Sequence, residues 1–476
     1  MASSITAAGT PAQEQQHQRP HRSAAFLVLA AGIFLANLDL FVVNVAVPSI
    51  GREFAGTPLT TLSWVLNAYT IVYAALLIVA GRIADRTSPR AVYLSGAAAF
   101  SVGSLAAAAA PSIGMLIAAR VAQAAGAAMM TPTSLGLLLA STPVERRGSA
   151  VRLWSAVAAV AATLGTPVGG VLTAVSWRWA FVINLPICLA VLLAGPRLLP
   201  RTQRNLDAAR PDLAGAVLFS LAIGALALGV VEFNDWSAPR LLVVFFAAAS
   251  AAVLAAVRTR RVRNPLVPPE LLRIRPFAVA TLATAVYAVA FAAMILSLSL
   301  WCQNVWHWSA LQAGLAIAPG PLMVPFLAVG AGPLAARYGS GKVAAAGSLL
   351  LAFGAFLWVW QVGGNPNYLS LLPGMIVTGL GVGLTMPTLM SAAAVAVPAA
   401  QFATGSGVLT MARQIGSVVG VSALVLLLGH PHTAAQSVSA FHAGWTFVVA
   451  GALLTGLLAL VLVPVSRRWA VAVASA

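Results

Sequence analysis

The stretch AAFLVLAAGIFLANLDLFVVNVAV, residues 24–47, decides how the rest of the chain is interpreted. A helix of about 20 apolar residues crosses a bilayer, and this stretch is longer than that. It contains one acid, Asp39, which lies roughly 22 Å along a helix that begins at residue 24. An ionisable group at that depth is costly and usually has a function. The stretch therefore predicts a membrane helix with a functional carboxyl group near its centre.

The composition extends this prediction to the whole chain. The 476 residues are 60% hydrophobic and 8% charged, whereas a soluble domain has about 25% charged residues. Since only helices and closed barrels span lipid, we predict an all-α membrane protein. We predict fourteen transmembrane helices, at residues 24–48, 61–80, 91–110, 112–139, 149–172, 178–196, 213–232, 239–257, 276–300, 309–331, 342–361, 369–391, 403–429 and 441–464.

Two basic, proline-containing stretches, residues 196–212 and 258–276, divide these spans into six, two and six. A weak repeat agrees with this division, because GRIADRTSPR and GPLAARYGSGK begin at residues 81 and 332, 251 residues apart. Repeated six-helix halves are a known transporter plan, with the substrate site between the halves. The predicted units are an N-terminal tail (1–23), a six-helix half (24–196), central loops with two inserted helices (197–275), a second six-helix half (276–465) and a C-terminal tail (466–476).

The formal charge of +17 follows the loops. Of the 27 Lys and Arg residues, 22 fall on one side of the predicted spans, three (Arg52, Arg178, Arg240) fall opposite, and Arg120 and Arg413 lie within spans. This pattern is the positive-inside rule and not a nucleic-acid surface, so we expect both termini in the cytoplasm and no nucleic-acid partner. The first 23 residues lack the apolar segment of a signal peptide, so the first span would direct insertion.

We predict neither a metal nor a cofactor. Cys188 and Cys302 lie in or beside apolar runs without metal-ligand spacing. The GSGK stretch at 339–342 is followed by Val343 where a phosphate-binding loop needs Ser or Thr, and no strand precedes it. The GLGVG stretch at 379–383 lies inside a span, where close helix packing is the better interpretation. The chain is therefore not expected to be an enzyme, and an ion gradient is the expected energy source.

Six stretches of the chain form a recognisable set: LDLFVVNVAVP (38–48), GRIADRTSPR (81–90), RVAQAAGAA (120–128), GTPVGG (165–170), SWRWAFVINLPI (176–187) and RQIGSVVG (413–420). Together they resemble the fourteen-helix drug:proton antiporter branch of the major facilitator superfamily, over residues 24–465. The resemblance implies a proton-coupled antiporter that exports small hydrophobic drugs or antibiotics across the cytoplasmic membrane by alternating access. A uniporter or importer of the same fold is the alternative. The Ala-rich, Lys-poor composition indicates a high-GC bacterium.

The candidate coupling residues are Asp39 and Arg120. A buried carboxyl group can exchange a proton or a substrate cation, and the resemblance assigns Arg120 to proton transfer. A structural ion pair is the alternative for each. The resemblance makes Gly165, Pro167, Gly169 and Gly170 an antiporter motif that limits leakage. The candidate gate at the cytoplasmic edge consists of Gly81, Asp85, Arg86 and Arg90, and Arg413 is expected to pair within the C-terminal half.

The candidate substrate-binding residues are Asn44, Trp64, Tyr69, Gln123 and Trp154. Aromatic side chains can line a cavity for a flat hydrophobic ligand, although packing against lipid or neighbouring helices is the alternative for each. Glu232, at the end of the seventh span, is either part of an interfacial turn or an acid that attracts cations. The expected partners are a small hydrophobic compound, protons and the lipid bilayer, and we expect a monomer.

Overall fold

The computed structural model describes residues 11–142, 147–200, 210–397 and 402–462. These residues form seventeen α-helices and one π-helical turn. The helices are α1 (Pro11–Glu53), α2 (Leu59–Arg86), α3 (Pro89–Ala108), α4 (Ile113–Ala140), α5 (Arg147–Val175), α6 (Trp179–Val182), α7 (Asn184–Leu198), α8 (Leu213–Val231), α9 (Ala238–Arg261), α10 (Pro269–Arg273), α11 (Arg275–Leu300), the π-helical turn (Trp301–Val305), α12 (Ala310–Ile317), α13 (Pro319–Tyr338), α14 (Ser340–Gln361), α15 (Tyr368–Ala396), α16 (Phe402–Leu428) and α17 (Ala434–Leu460).

Within the described residues, 13 helical segments are long and apolar enough to cross a membrane. Three are composite: α6 with α7, α11 with the π-helical turn, and α12 with the first part of α13. The remaining predicted span corresponds to α5, whose apolar stretch Val160–Val175 is shorter than the others. The predicted class, an all-α membrane protein of fourteen spans, is confirmed.

The helices extend beyond their apolar segments. Helix α1 begins at Pro11, well before the predicted start at residue 24, and α2 continues to Arg86 instead of ending near residue 80. Apolar periodicity marks the part of a helix that lies in lipid, whereas backbone hydrogen bonds continue through polar flanks. The predicted C-terminal tail, residues 466–476, lies outside the described residues.

Side-chain caps fix several helix starts. Ser88 accepts a hydrogen bond from the backbone N–H of Ala91, and Ser112 accepts one from Met115. Capping boxes begin α12 at Ser309 and α17 at Thr433. Each cap satisfies backbone donors that the first turn leaves unpaired, so these polar residues end the loops.

The spans pack as two bundles, which we call the first bundle (α1–α7) and the second bundle (α11–α17). Glycines bring neighbouring helices into backbone contact. The GLGVG stretch is one example, because a Cβ atom on Gly379 would lie 2.3 Å from the carbonyl oxygen of Gly320, and one on Gly381 would lie 2.5 Å from the backbone nitrogen of Leu351. The prediction that this stretch packs helices closely is confirmed.

The inserted helices α8 and α9 pack against each other, and α8 also contacts α2 and α16. Trp64 and Ile71 of α2, Ala227 of α8 and Val418 of α16 meet in one small apolar cluster. Helix α8 therefore lies across the line where the first and second bundles meet, which we call the α2–α16 seam. A hydrogen bond from the Asn234 side chain to the Leu426 carbonyl, 3.2 Å long, adds a polar contact there.

Asp212, just before α8, gives a prediction about pH. Its carboxylate accepts hydrogen bonds from Arg258 Nε (2.7 Å) and the Gly215 N–H (2.9 Å). Burial raises the pKa of this carboxyl, but these hydrogen bonds outweigh burial and hold its pKa below the ordinary value. A depressed pKa stabilises the fold above the unfolded-state pKa, and that stability is lost as pH falls through the folded-state value.

We therefore expect Asp212→Asn to destabilise the purified protein at pH 7 by less than about 1 kcal/mol. The difference should shrink below pH of about 4, where the wild-type carboxyl also becomes protonated. Thermal unfolding followed by tryptophan fluorescence measures both effects. Glu270→Gln is the matched control, since Glu270 has no ion pair in the described part of the chain. A gap between Asp212→Asn and wild type that stays constant with pH would contradict the assignment.

Candidate functional site

Asp39 lies near the middle of the membrane part of α1 and is 1% exposed. Its Oδ2 atom forms an ion pair with Nη1 of Arg120, which is completely buried in α4. Its Oδ1 atom accepts hydrogen bonds from Gln123 Nε2 (2.7 Å) and Asn184 Nδ2 (3.2 Å). The carboxylate is thus surrounded by protein and turned away from lipid, with its charge matched by one guanidinium.

The guanidinium of Arg120 is held in position by two further hydrogen bonds. Its Nε atom donates to the backbone carbonyl of Val65 in α2 at 2.9 Å, and Nη1 donates to Gln123 Oε1 at 2.6 Å. Because Val65 offers a backbone oxygen, this contact does not depend on a side chain of α2. Movement of α2 relative to α4 would therefore change the position of the cation beside Asp39.

Helix α3 completes the network through Ser104. The Ser104 hydroxyl oxygen accepts from Gln123 Nε2 at 2.9 Å and from Asn184 Nδ2 at 3.3 Å. Gly103 makes this contact feasible, because a Cβ atom there would lie 2.6 Å from the backbone nitrogen of Gln123. Asp39, Arg120 and their partners thus come from α1, α2, α3, α4 and α7, all in the first bundle. We call this set the Asp39 network.

Tyr69 closes one side of the Asp39 network. The Arg120 guanidinium carbon lies 4.0 Å from the centroid of the Tyr69 ring, and that ring stacks on Tyr73 with centroids 5.9 Å apart. Within the described residues, Arg120 Nη2 and the Tyr69 hydroxyl have no hydrogen-bond partner. Buried polar atoms are rarely left unpaired. These two atoms give the network donors that a rearranged state can use.

The other proposed substrate-binding residues are dispersed. Asn44 donates to the carbonyl of Leu40 in its own helix, 2.7 Å away, and Trp154 Nε1 donates to the Ser134 hydroxyl at 3.1 Å. Trp64 packs in the apolar cluster of the α2–α16 seam. Of the five candidates, Tyr69 and Gln123 are the two that the structure brings to the Asp39 network.

The glycines of the helix-five motif contact both bundles. Added Cβ atoms would lie 2.4 Å from Phe41 Cβ at Gly165 and 3.0 Å from Val42 Cα at Gly169, so these two glycines face α1. Gly170 faces the second bundle, where a Cβ atom would lie 2.8 Å from the carbonyl oxygen of Ala310 in α12. Pro167 lies inside α5 between them. The motif therefore lets α5 lie directly between α1 and α12.

Three hydrogen bonds join the bundles at the end where α1 finishes, which we call the Glu53 end. Gln303 Nε2 donates to the Val45 carbonyl at 3.0 Å, and the Ser299 hydroxyl donates to the Asn44 carbonyl at 3.1 Å. Arg52 reaches the Gln303 side chain at 3.5 Å. Together with the α5–α12 contact, these bonds hold the bundles closed at the Glu53 end.

The candidate gate lies at the opposite end, which we call the Arg86 end because α2 finishes there with Arg86. A Cβ atom on Gly81 would lie 3.7 Å from Pro132 Cβ, and Arg90 donates to the carbonyl of Pro196. The side chain of Asp85 lies outside the described residues. The gating role of Gly81, Asp85, Arg86 and Arg90 stays a prediction.

Arg82, within the same loop motif, was not among the candidates. Its Nη1 and Nη2 atoms donate to the carbonyls of Asn264 and Pro265 at 2.7 and 2.6 Å. These carbonyls belong to the segment between α9 and α10. Arg82 therefore connects the first bundle to the chain that leads into the second bundle.

The sequence model of the family described as the Major Facilitator Superfamily matches residues 29–421, which are most of the chain. The chain belongs to the Major Facilitator Superfamily. The members of this superfamily are membrane transporters and not enzymes, so this facilitator is a multi-pass membrane transporter.

Curated relatives resemble the facilitator over most of their length. The methylenomycin A resistance protein of Streptomyces coelicolor is 34% identical over 404 residues, which cover 84% of each chain. The puromycin resistance protein pur8 of Streptomyces alboniger is 32% identical and covers 93% of this chain and 92% of its own. The cephamycin export protein CmcT of Amycolatopsis lactamdurans is 32% identical, and the match covers 90% of this chain and 89% of CmcT.

A solved structure shares the fold of the facilitator. The bacterial homologue of the human drug peptide transporters PepT1 and PepT2 superposes with a TM-score of 0.67, covering 94% of this chain and 99% of its own. At 17% sequence identity this similarity concerns the fold.

Sequence reasoning on the facilitator missed Asn184, Ser104 and Tyr73. Asn184 lies in the SWRWAFVINLPI stretch that carried part of the resemblance, so a signal for it was present. Ser104 had none, because a serine among Ala and Gly residues is ordinary in a membrane helix.

Glu232 follows the last residue of α8, and burial, followed by the nearby charge of Asp235, raises its pKa. The interfacial turn and its alternative, an acid that attracts cations, both stay predictions.

Proposed function

We propose that this transporter exports small, largely hydrophobic drugs or antibiotics across the cytoplasmic membrane in exchange for protons. Three relatives that are 32–34% identical are named for methylenomycin A resistance, puromycin resistance and cephamycin export, which supports an export role. The alternating Lys and Arg distribution supports cytoplasmic termini, with the Glu53 end outside.

The observation that carries the proposal is the Asp39 network. An acid in mid-membrane is costly, and this one contacts a guanidinium that is itself tied to the backbone of α2. A proton on Asp39 would remove the charge that Arg120 neutralises. Protonation would thus free Arg120 to move with α2, and deprotonation would restore the present arrangement.

The proposed cycle is alternating access between two units, residues 24–196 and 276–465. The protein would work as a monomer. The contacts at the Glu53 end would break and those at the Arg86 end would tighten when the site turns outward. Drug would leave to the outside, a proton would bind Asp39, and the return to the inward-facing state would release that proton to the cytoplasm. Gly81, Asp85, Arg86 and Arg90 would act at the Arg86 end, and the helix-five glycines at the other.

The test is transport in proteoliposomes that contain the purified protein and a fluorescent hydrophobic compound. We expect movement of the compound against the direction of an imposed proton gradient, loss of that movement with an uncoupler, and proton movement when compound is added. Transport that is indifferent to the proton gradient would contradict antiport and would favour the uniporter alternative.

A further inference from the structure

Arg413 is the second cation within the predicted spans, and the Asp39 network does not include it. It lies in the middle of α16, roughly 16 Å from its first residue, and its side chain is partly buried. Its guanidinium makes no hydrogen bond or ion pair with any described side chain. One turn further along α16, a Cβ atom on Gly416 would lie 2.9 Å from the Cβ atom of Ala288, the residue that follows Tyr287 in α11. On the other side, Ile71 of α2, two residues before Tyr73, packs with Val418 of α16. Arg413 thus lies between the bundles, near the phenol groups of Tyr73 and Tyr287. No ion pair with a described acid of the C-terminal half therefore accounts for Arg413, and the expected pairing there stays a prediction.

No acid whose side chain the structure describes pairs with Arg413. Asp39 lies within a span and is already paired with Arg120, and the described acids Glu53, Asp212, Glu232, Asp235 and Glu270 lie at helix ends or in loops. In the sequence, Glu14, Glu145 and Asp207 fall outside the predicted spans. Asp85, whose side chain is not described, follows Tyr73 by twelve residues of α2, or about 18 Å. A cation without a counter-charge at this depth costs free energy and indicates a functional site.

The surroundings of Arg413 suit an amphiphile. Tyr287 stacks on Phe291 with centroids 5.6 Å apart, and Phe291 meets Phe41 of the first bundle edge to face at 6.1 Å. The cation therefore lies beside an aromatic surface that both bundles contribute. A guanidinium binds carboxylate, sulfonate or phosphate oxygens through paired hydrogen bonds, and the aromatic rings accept an apolar body.

We propose that Arg413 is the binding point for an anionic group of the exported compound, so that the preferred substrates are hydrophobic acids. This inference rests on the proposed export function and adds its substrate class. Arg120 lies over the ring of Tyr69, Tyr69 stacks on Tyr73, and both tyrosines belong to α2, which packs against α16. The substrate anion would supply to Arg413 the negative charge that Asp39 supplies to Arg120.

Three pyrene probes of matched shape test the proposal: a butanesulfonate, a butanol and a butyltrimethylammonium. The sulfonate stays ionised at every working pH, so its own titration does not enter the result. We expect purified protein to bind the sulfonate at least tenfold more tightly than the alcohol. Arg413→Gln should remove this preference without weakening binding of the alcohol, and Arg413→Lys should restore part of it.

Size-exclusion profiles of the variants show whether they remain folded. If Arg413→Gln does not fold, the binding preference of Arg413→Lys tests the proposal instead. Equal binding of the sulfonate by wild type and a folded variant would overturn the anion site. Proton-dependent export of the alcohol or the ammonium compound, with no preference for the sulfonate, would overturn the anion site and leave the proposed function standing. Arg413-dependent sulfonate binding without any proton-dependent transport would do the reverse.

Discussion

Replacing Asp39 with Asn is expected to abolish proton-driven export. The amide keeps the shape of the carboxyl group and can still contact Gln123 and Asn184, but it cannot exchange a proton at working pH. Without an exchangeable proton at this site the imposed gradient cannot drive the cycle, so we expect gradient-driven export to fall to the level of protein-free liposomes. The measurement is transport by proteoliposomes with and without a pH gradient, at matched protein content.

The same change leaves Arg120 buried without a counter-charge, and breaking one partner of a buried pair costs about 3–5 kcal/mol. The double variant Asp39→Asn/Arg120→Gln removes both charges and should recover most of the lost stability while export stays abolished. Asp212→Asn is the matched control, because that acid lies outside the Asp39 network. Counterflow of labelled compound without a gradient should persist in a folded coupling mutant. Full proton-driven export by Asp39→Asn would remove Asp39 from the mechanism.

Replacing Gly170 with Val is expected to hinder closure at the Glu53 end. The first added carbon would lie 2.8 Å from the carbonyl oxygen of Ala310 and 3.0 Å from Gly314 Cα. Backbone atoms cannot rotate away, so α5 and α12 must separate. Overpacking of this kind costs roughly 1–3 kcal/mol, which corresponds to about a 5–150-fold shift between two conformations. We expect export to fall by a factor in this range.

Crosslinking between cysteines introduced at the Glu53 end would show the shift directly, since the variant should crosslink more slowly. Gly136→Val in α4 is the control, because a Cβ atom there meets no atom within 4 Å. Gly165→Ala provides a comparison within one bundle, since its added carbon would meet Phe41 of α1. Equal export by Gly170→Val and wild type would mean that the α5–α12 contact does not limit the cycle.

The number and order of the spans were predictable because each one leaves a long apolar run in the sequence. The ends of the helices were less predictable, because α1 and α2 continue through polar residues that hydropathy does not register. The pairing of Asp39 with Arg120 was open: the sequence placed both in mid-membrane, but the contact joins residues 81 positions apart and depends on how α1 and α4 pack.

The rest of the candidate site depended on tertiary packing. The three aromatic candidates were indistinguishable in the sequence. In the structure Trp64 lies in the α2–α16 seam, Tyr69 lies under Arg120, and Trp154 lies against Ser134. Side-chain direction around a helix distinguishes them, and an apolar helix without a polar stripe does not reveal that direction. The glycine motif was visible in sequence, whereas its contact with α12 appears only once the bundles are assembled.

The position of α8 has a consequence for compounds that partition into the bilayer before they meet the protein. On one flank, a molecule diffusing through the lipid reaches α8 before it reaches the junction of α2 and α16. In the described residues α8 packs on α9, on α2 and on α16, and neither α8 nor α9 makes a substantial contact with α5 or α12. Lateral entry from the membrane would then be one-sided, through the flank formed by α5, α12 and α13.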